Sequence, residues 1–295
     1  MSSSGADATV AALWRYPVKS MGGEALDTAV VGTAGVVGDR AYAVVGDGLV
    51  GSAKHPRKWG RLLQMQAWYL EEPAPGAPPP PVAIRLPDGE VVRSDSPGCD
   101  RALSAALGRS VGLVTAGGER GHYEALWPDI EGLIPDEFRA TVSLGTEESG
   151  DTLSRLPLAV MAPGGALVDV APLHLMCSST LDELRRLEPG PDFDPRRYRP
   201  NVLVDGSGSG FAENGWTGRR LCLGEVEASV SMPTMRCVMT TLAQPGLEAD
   251  RRILQAAARH NRVEIAGEGT WSCVGAYAGV EVGGRLGVGD AVTVH

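Results

Sequence analysis

Residues 225–241 read EVEASVSMPTMRCVMTT and join a strand-like run to a polar turn. Apolar and polar side chains alternate from Glu225 to Ser231, which predicts a strand with one buried face. Proline has no backbone N–H for a neighbouring strand, so Pro233 predicts the end of any central strand. The stretch therefore predicts a strand that stops at a turn bearing polar side chains.

That turn carries Cys237, which stands directly after Arg236 and ahead of Thr240 and Thr241. A thiolate is both a nucleophile and a ligand for soft metals, and a neighbouring arginine favours the thiolate form. Most free cysteines, however, are small buried hydrophobic residues. Two interpretations therefore stay open for Cys237: a reactive or metal-ligating thiol, and an inert cysteine of the core.

The composition is that of a globular protein. The chain has 295 residues, of which 43% are apolar and 21% charged, and its net charge is −9 at pH 7. Such an acidic balance argues against a nucleic-acid surface. The N-terminal residues lack the basic and apolar regions of a secretory signal, and no apolar run approaches the roughly 20 residues of a membrane helix. We therefore expect a protein that binds neither nucleic acid nor membrane.

The cysteines point to a reducing compartment. They are odd in number, widely spaced and without a CxxC pair: Cys99, Cys177, Cys222, Cys237 and Cys273. Neither a zinc site nor a disulfide framework is predicted from such spacing, and the cytoplasm is the expected location.

Short strand-like runs separated by turn residues predict a mainly β fold with a few helices (α+β). Residues 7–115 are predicted to form a small β-barrel-like domain with one short helix, and residues 116–295 a second, irregular β-barrel. Within the second part, residues 116–151 are predicted to be a long surface connection and Leu167 to Val170 a strand. Ser179 is predicted to be the N-cap of a helix. Neither common nucleotide-binding loop, G-x-G-x-x-G before a helix or G-x-x-x-x-G-K-[ST], is found.

Basic residues recur at the ends of three successive predicted strands, as Lys19, Arg40 and Lys54. Strand ends of a small barrel can meet at one rim, and three cations there would make an anion pocket. The hydroxyl of Ser20, beside Lys19 in a turn flanked by proline and glycine, can add a hydrogen bond to an anion. The alternative is three independent surface charges.

Taken together, these pieces resemble the MOSC family. MOSC names the C-terminal domain of molybdenum-cofactor sulfurases, which also occurs in the mitochondrial amidoxime-reducing component and in bacterial reductases of N-hydroxylated bases. The resemblance covers nearly the full length. It is carried by YPVKS at 16–20, GDR at 38–40, SAKHPR at 52–57, APLHL at 171–175, YRPN at 198–201, RCVMTT at 236–241 and GVGD at 287–290.

The resemblance implies a bound molybdenum cofactor, that is, molybdenum carried by a pterin. Cys237 would then ligate the metal and be the catalytic cysteine. Lys19, Ser20 and Arg40 would hold the pterin and its phosphate from the N-terminal side, with Lys54 as a further candidate, and Arg199 with Asn201 from the C-terminal side. Thr240 and Thr241 would supply hydrogen bonds around the cysteine. The other four cysteines match no ligand position and are expected to be structural.

The resemblance also implies an oxidoreductase that removes oxygen from small N-hydroxylated substrates. The chain has no room for the pyridoxal-phosphate domain of the sulfurases and carries no cysteine set for an iron–sulfur cluster, so a separate electron-donor protein is expected. Two alternatives stay open. The protein could be a sulfur carrier or cofactor-delivery protein with a persulfide on Cys237, or a metal-free enzyme on the same scaffold.

Overall fold

The computed structural model describes residues 8–116, 121–158 and 167–295, and it confirms the prediction of a mainly β fold with a few helices. The described chain contains 21 strands: β1 (Ala8–Arg15), β2 (Glu24–Leu26), β3 (Thr28–Gly32), β4 (Gly35–Val36), β5 (Tyr42–Gly46), β6 (Leu49–Val50), β7 (Gln66–Tyr69), β8 (Val82–Arg85), β9 (Val91–Arg93), β10 (Gly112–Thr115), β11 (His122–Trp127), β12 (Ser143–Thr146), β13 (Thr152–Pro157), β14 (Leu173–Cys177), β15 (Val202–Asp205), β16 (Arg220–Leu223), β17 (Val226–Met235), β18 (Arg262–Ile265), β19 (Gly269–Val282), β20 (Gly284–Gly287) and β21 (Ala291–Val294). The five described helices are α1 (Pro56–Trp59), α2 (Cys99–Leu107), α3 (Asp136–Val142), α4 (Ser178–Leu187) and α5 (Arg252–His260). None of these helices has the length and apolar character to cross a membrane.

Seven of the described strands close into a barrel, in the order β14, β15, β1, β21, β16, β17 and β19, and β19 pairs back with β14. Most neighbours are antiparallel, whereas β14 and β15 run parallel. The interior is filled by small and branched apolar side chains such as Leu13, Val204 and Ala276. A closed barrel has no free sheet edge, so every strand of it depends on both of its neighbours.

The first strand of the chain lies inside this barrel. In β1, Thr9 pairs with Asp205 of β15 and with Ala291 of β21. A strand from the predicted first part, residues 7–115, thus joins two strands of the predicted second part. Of the other strands of the first part, β2 pairs with β1, and six form two three-stranded sheets, β10-β5-β6 and β7-β8-β9. Strand β3 pairs with β4 and also with β20 from the end of the chain.

The prediction that residues 116–151 form a surface connection is wrong for most of the segment. Strand β11 lies here and pairs with β13, and from Tyr123 to Trp127 it is buried. Trp127 stacks edge-on against Phe138 of α3 and Trp271 of β19, with ring centroids 5.4 and 5.9 Å away. The glycine and glutamate content of residues 116–151 favoured a surface connection, but the large apolar side chains of the segment pack in the interior.

Two local predictions next to the barrel are also wrong. Leu167 to Val170 does not form a strand; the segment is irregular chain that precedes β14. Helix α4 starts at Ser178, after Cys177, so Ser179 lies within the helix and does not cap it. The cap position is set by the end of the parallel strand β14, which the local sequence does not reveal.

Pro233 does not end the strand before the cysteine. Strand β17 continues to Met235, and its register against β19 shifts between Val230 and Met232 and again between Pro233 and Met235. Bulges are where a sheet tolerates proline, because the local pairing is already interrupted. The strand therefore delivers Arg236 and Cys237 directly from the barrel wall.

Candidate functional site

One cleft at the ends of the barrel strands gathers side chains from both halves of the chain. All but one of the residues predicted for the site line it: Lys19, Ser20, Arg40, Lys54, Arg199, Asn201, Cys237 and Thr240. Asp169, His174, Arg236 and Tyr277 line it as well. The exception is Thr241, which lines a neighbouring surface cavity instead.

Backbone hydrogen bonds bring the N-terminal cations together. The turn after β1 is joined to the start of β5, because Lys19 N donates to the Tyr42 carbonyl (2.8 Å) and Arg40 N to the Tyr16 carbonyl (2.7 Å). The Ser20 hydroxyl accepts from Ala53 N at 3.1 Å, which adds the segment carrying Lys54. The three strand ends thus lie together, although only β1 belongs to the closed barrel while β5 and β6 belong to a three-stranded sheet beside it.

Three of these residues have a strained backbone. Ser20, Arg40 and Arg199 adopt left-handed conformations with φ of 64°, 47° and 57°, and among the described non-glycine residues only Asp47, in a hairpin turn, shares a positive φ. A side chain in that conformation costs about 1–2 kcal/mol per residue. Such strain concentrates at functional sites, because elsewhere nothing maintains it.

Two arginines that line the cleft, Arg40 and Arg199, flank the ring of Tyr16, which lies behind the lining of the cleft. The guanidinium carbons of Arg40 and Arg199 lie 4.8 and 4.2 Å from the centroid of the Tyr16 ring. Arg40 also pairs with the carboxylate of Asp39 and donates to the Asn201 side chain at 3.4 Å. Burial, with Arg40 nearby, lowers the pKa of Arg199 to about 10, so both remain charged at neutral pH.

Asp169 is the shared carboxylate partner of the two lysines in the cleft. Its carboxylate pairs with Lys19 and with Lys54, the latter at 2.9 Å. Burial disfavours the charged carboxylate, but the two ammonium groups outweigh it and hold the pKa of Asp169 well below its usual range. The cleft encloses about 90 Å³, whereas small-molecule sites usually offer roughly 300–1,000 Å³. A ligand of pterin size is therefore larger than the enclosed part of the cleft.

Cys237 is half-buried in the cleft wall, at the start of a 3₁₀ turn, Val238–Thr241. The backbone N–H and hydroxyl of Thr240 both donate to the Cys237 carbonyl, at 3.3 and 3.1 Å. The hydroxyl of Thr241 donates to the Val238 carbonyl at 2.8 Å. Both threonines thus brace the turn that presents the sulfur, and neither hydroxyl contacts the thiol.

The cleft contains buried donors that lack a partner among the described residues, namely Arg199 Nη2 and Arg236 Nε. Leaving such a donor unpaired costs about 1–3 kcal/mol, and more for a charged group. Together with the excess of cations over the single lining carboxylate, they suit a ligand rich in oxygen and nitrogen acceptors. A phosphate-bearing pterin next to a sulfur ligand is a group of that kind, so the residues fit the cofactor that the motifs imply.

Three further residues of the cleft could not be recognised from the sequence. Asp169 is a lone carboxylate in an apolar run, and Tyr277 is one apolar position of a long strand. His174 belongs to the APLHL motif, but nothing in that motif showed that its ring lies in the cleft wall. His174 and Tyr277 reach the cleft through the pairing of β14 with β19, and Asp169 reaches it from the irregular chain before β14.

The remaining cysteines differ from Cys237 in their surroundings. Burial raises the pKa of the Cys99 and Cys177 thiols, and that of Cys273 to about 12. Cys222 lies on β16 and, like the other three, does not line the cleft. All five cysteines are free thiols.

Two family models match the chain in the regions just described. The model of the MOSC N-terminal beta barrel domain matches residues 7–85, and that of the MOSC domain matches residues 165–293. The chain therefore belongs to the MOSC domain family, which confirms the resemblance carried by its motifs.

Its relatives include a named reducing component. The chain is 28% identical over 296 residues to mitochondrial amidoxime reducing component 2 of Homo sapiens, covering 96% of this chain and 82% of the human protein. The same component from Macaca fascicularis is 29% identical over 297 residues, with the same coverage. Among solved structures, the YUAD protein from Bacillus subtilis aligns with a TM-score of 0.41 at 12% identity, covering 98% of this chain and 95% of that one.

Proposed function

We propose that this protein is a molybdenum-cofactor-binding oxidoreductase that removes oxygen from small N-hydroxylated compounds. The observation that carries the proposal is the half-buried Cys237 thiol at the wall of a cleft rich in cations and unpaired donors. The relatives, both named amidoxime reducing components, support the reaction class.

Each part of the cleft has a role in this proposal. Cys237 supplies the protein's sulfur ligand to the metal, and Lys19, Arg40 and Arg199 offset the charge of the phosphate. Ser20, Asn201 and Lys54 add hydrogen bonds, while Thr240 and Thr241 hold the turn of the cysteine in place. When bound, the cofactor supplies the two-electron redox chemistry.

The overall reaction consumes two electrons and two protons and releases the oxygen as water. We propose that a separate redox protein delivers the electrons. Five free thiols agree with a reducing compartment, so the cytoplasm is the location we propose.

The test is the molybdenum content of protein from a host that makes the cofactor, measured for the wild type, Cys237→Ser and Cys222→Ser. We expect close to one metal per chain and amidoxime reduction with an artificial electron donor for the wild type and for Cys222→Ser. Cys237→Ser should remain folded, lose the activity and hold the metal weakly or not at all.

Two results would overturn the proposal. One is full activity in Cys237→Ser. The other is a folded wild type without metal or pterin, in which case a mass increase of one sulfur on Cys237 would identify the sulfur carrier, and its absence would favour a metal-free enzyme.

A further inference from the structure

His174 lies buried in the cleft wall on β14, where it connects two arginines. Its Nδ1 is 3.2 Å from the carbonyl oxygen of Arg199, and its Nε2 is 3.3 Å from Nη2 of Arg236. The resemblance to the MOSC family implied no role for His174. Its two contacts nevertheless reach both sides of the cleft, since Arg236 directly precedes Cys237.

These two partners determine where the ring carries its proton. A carbonyl oxygen only accepts hydrogen bonds and a guanidinium only donates them. The ring must therefore donate from Nδ1 and accept at Nε2, which makes it neutral with the proton on Nδ1. Burial and the charge of Arg236 agree with a neutral ring, because they lower the pKa of His174 well below its usual range although the carbonyls of Arg199 and Val274 act in the opposite direction.

Arg236 is held on two other sides as well. Its Nη1 donates to the Tyr198 carbonyl at 3.0 Å, and its backbone N–H donates to the Ser272 carbonyl at 2.9 Å. The Nε–H is then left, buried and without a partner among the residues that the structure describes. These contacts orient the guanidinium, and its Nε–H stays available as a hydrogen-bond donor in the residue that directly precedes Cys237.

The backbone opposite the ring is shaped for this contact. Gly275 of β19 has φ of +87°, and a Cβ there would lie only 2.3 Å from His174 Nε2. Its N–H donates to the buried Glu213 carboxylate at 2.9 Å, which holds the strand in this close approach. Only glycine leaves Nε2 open to Arg236.

We infer that His174, as its Nδ1–H tautomer, is a positioning residue that orients Arg236 so that the Nε–H donates to an acceptor atom of the ligand beside Cys237. The acceptor is an oxygen or ring nitrogen that carries no proton of its own. The ligand half of this inference rests on the proposed function; the tautomer and its contact with Arg236 do not.

The tautomer is tested by nitrogen NMR on cofactor-free protein labelled with ¹⁵N-histidine, with the His174 signals assigned from His174→Asn. We expect Nδ1 protonated and Nε2 unprotonated from pH 5.5 to 8, and a shifted Nε2 resonance in Arg236→Lys. A proton on Nε2, or titration of the ring within that range, would refute the inference.

The ligand half is tested by the pterin retained per chain after purification, in His174→Phe, Arg236→Lys and the double variant, with melting temperature as the folding control. Each single variant is expected to lose roughly tenfold in retention, the usual effect of removing a supporting contact. Because the two residues act as a unit, the double variant should be no worse than either single one.

Additive losses, or full retention in folded Arg236→Lys, would overturn the inference. If His174→Phe does not fold, His174→Gln takes its place in the cycle. A wild type without any pterin would instead refute the proposed function, and the NMR result would still decide the tautomer.

Discussion

At the scale of single residues, Asp169 should be important for stability when no ligand anion is bound. Replacing Asp169 with Asn leaves Lys19 and Lys54 facing each other in a buried site without their shared counter-charge. Removing one partner of a buried ion pair costs about 3 kcal/mol. We expect Asp169→Asn to melt at a lower temperature than the wild type, and inorganic phosphate to restore more stability to the variant than it adds to the wild type.

The matched control is Asp182→Asn, which breaks an exposed pair with Arg185 on α4 and should change stability by less than about 1 kcal/mol. The pH dependence follows from the depressed pKa of Asp169. Its contribution is complete above the unfolded pKa of about 4 and is lost as the pH falls towards the folded value. Equal phosphate responses of variant and wild type would contradict the assignment of this site to anions.

The sequence indicated several residues that line the cleft. Lys19 and Ser20 stand in a turn between Pro17 and Gly22, a place where polar side chains are often functional, whereas Arg199 was indicated only by the family resemblance. The positions of Asp169 and His174 in the cleft could not be predicted. Each is an isolated polar residue among apolar neighbours, and only the folded chain shows which side chains it contacts. The convergence of the cations was predictable as one of two alternatives, and the backbone bonds between the turns decide between them.

At the scale of elements, Arg197 links the 3₁₀ turn that follows Cys237 to its own turn, residues 194–200, which contains three arginines. Fully buried, it donates from Nε to the Asp192 carbonyl and from Nη2 to the Glu248 carbonyl, both at 2.8 Å, and from Nη1 to the Thr240 carbonyl at 3.5 Å. Lysine has a single nitrogen and cannot span these carbonyls. Arg197→Lys should lose about 3 kcal/mol in urea unfolding and exchange amide hydrogens faster around residues 238–248.

Arg196→Lys is the matched control, because Arg196 is adjacent to Arg197 in the sequence but is exposed, and it pairs with Asp194 at 2.8 Å. It should stay within about 0.5 kcal/mol of the wild type. Similar losses in both variants would show that Arg197 has no special role.

The strand before Cys237 shows what a local sequence rule misses. Proline predicts a strand end, yet the bulged pairing of β17 with β19 continues the strand past Pro233.

At the scale of the whole molecule, the barrel depends on its first strand. Without β1, both β15 and β21 expose an unpaired edge, and the barrel is open. A fragment of residues 116–295 is therefore expected to aggregate when produced alone and to become soluble when residues 1–115 are produced with it. Size-exclusion chromatography and circular dichroism of the fragment and of the pair decide this. A folded, monomeric fragment would show that the barrel closes without β1.

The mainly β character follows from short strands and frequent turn residues, and so was predictable. The insertion of β1 between β15 and β21 was not predictable, since β1 lies near the start of the chain and both of these partners lie in the last third. The alternation of side chains within one strand does not identify the strands with which it pairs.

If variants of this protein were selected for thermal stability alone, we expect three cleft residues to be among those replaced. Ser20, Arg40 and Arg199 keep a backbone shape that glycine adopts with less strain. Glycine at all three positions would ease the backbone and at the same time remove the side chains that receive the ligand. Under the proposed function, selection for ligand binding retains these side chains, so replacement of all three by glycine in a descendant of this sequence would mark the loss of that function.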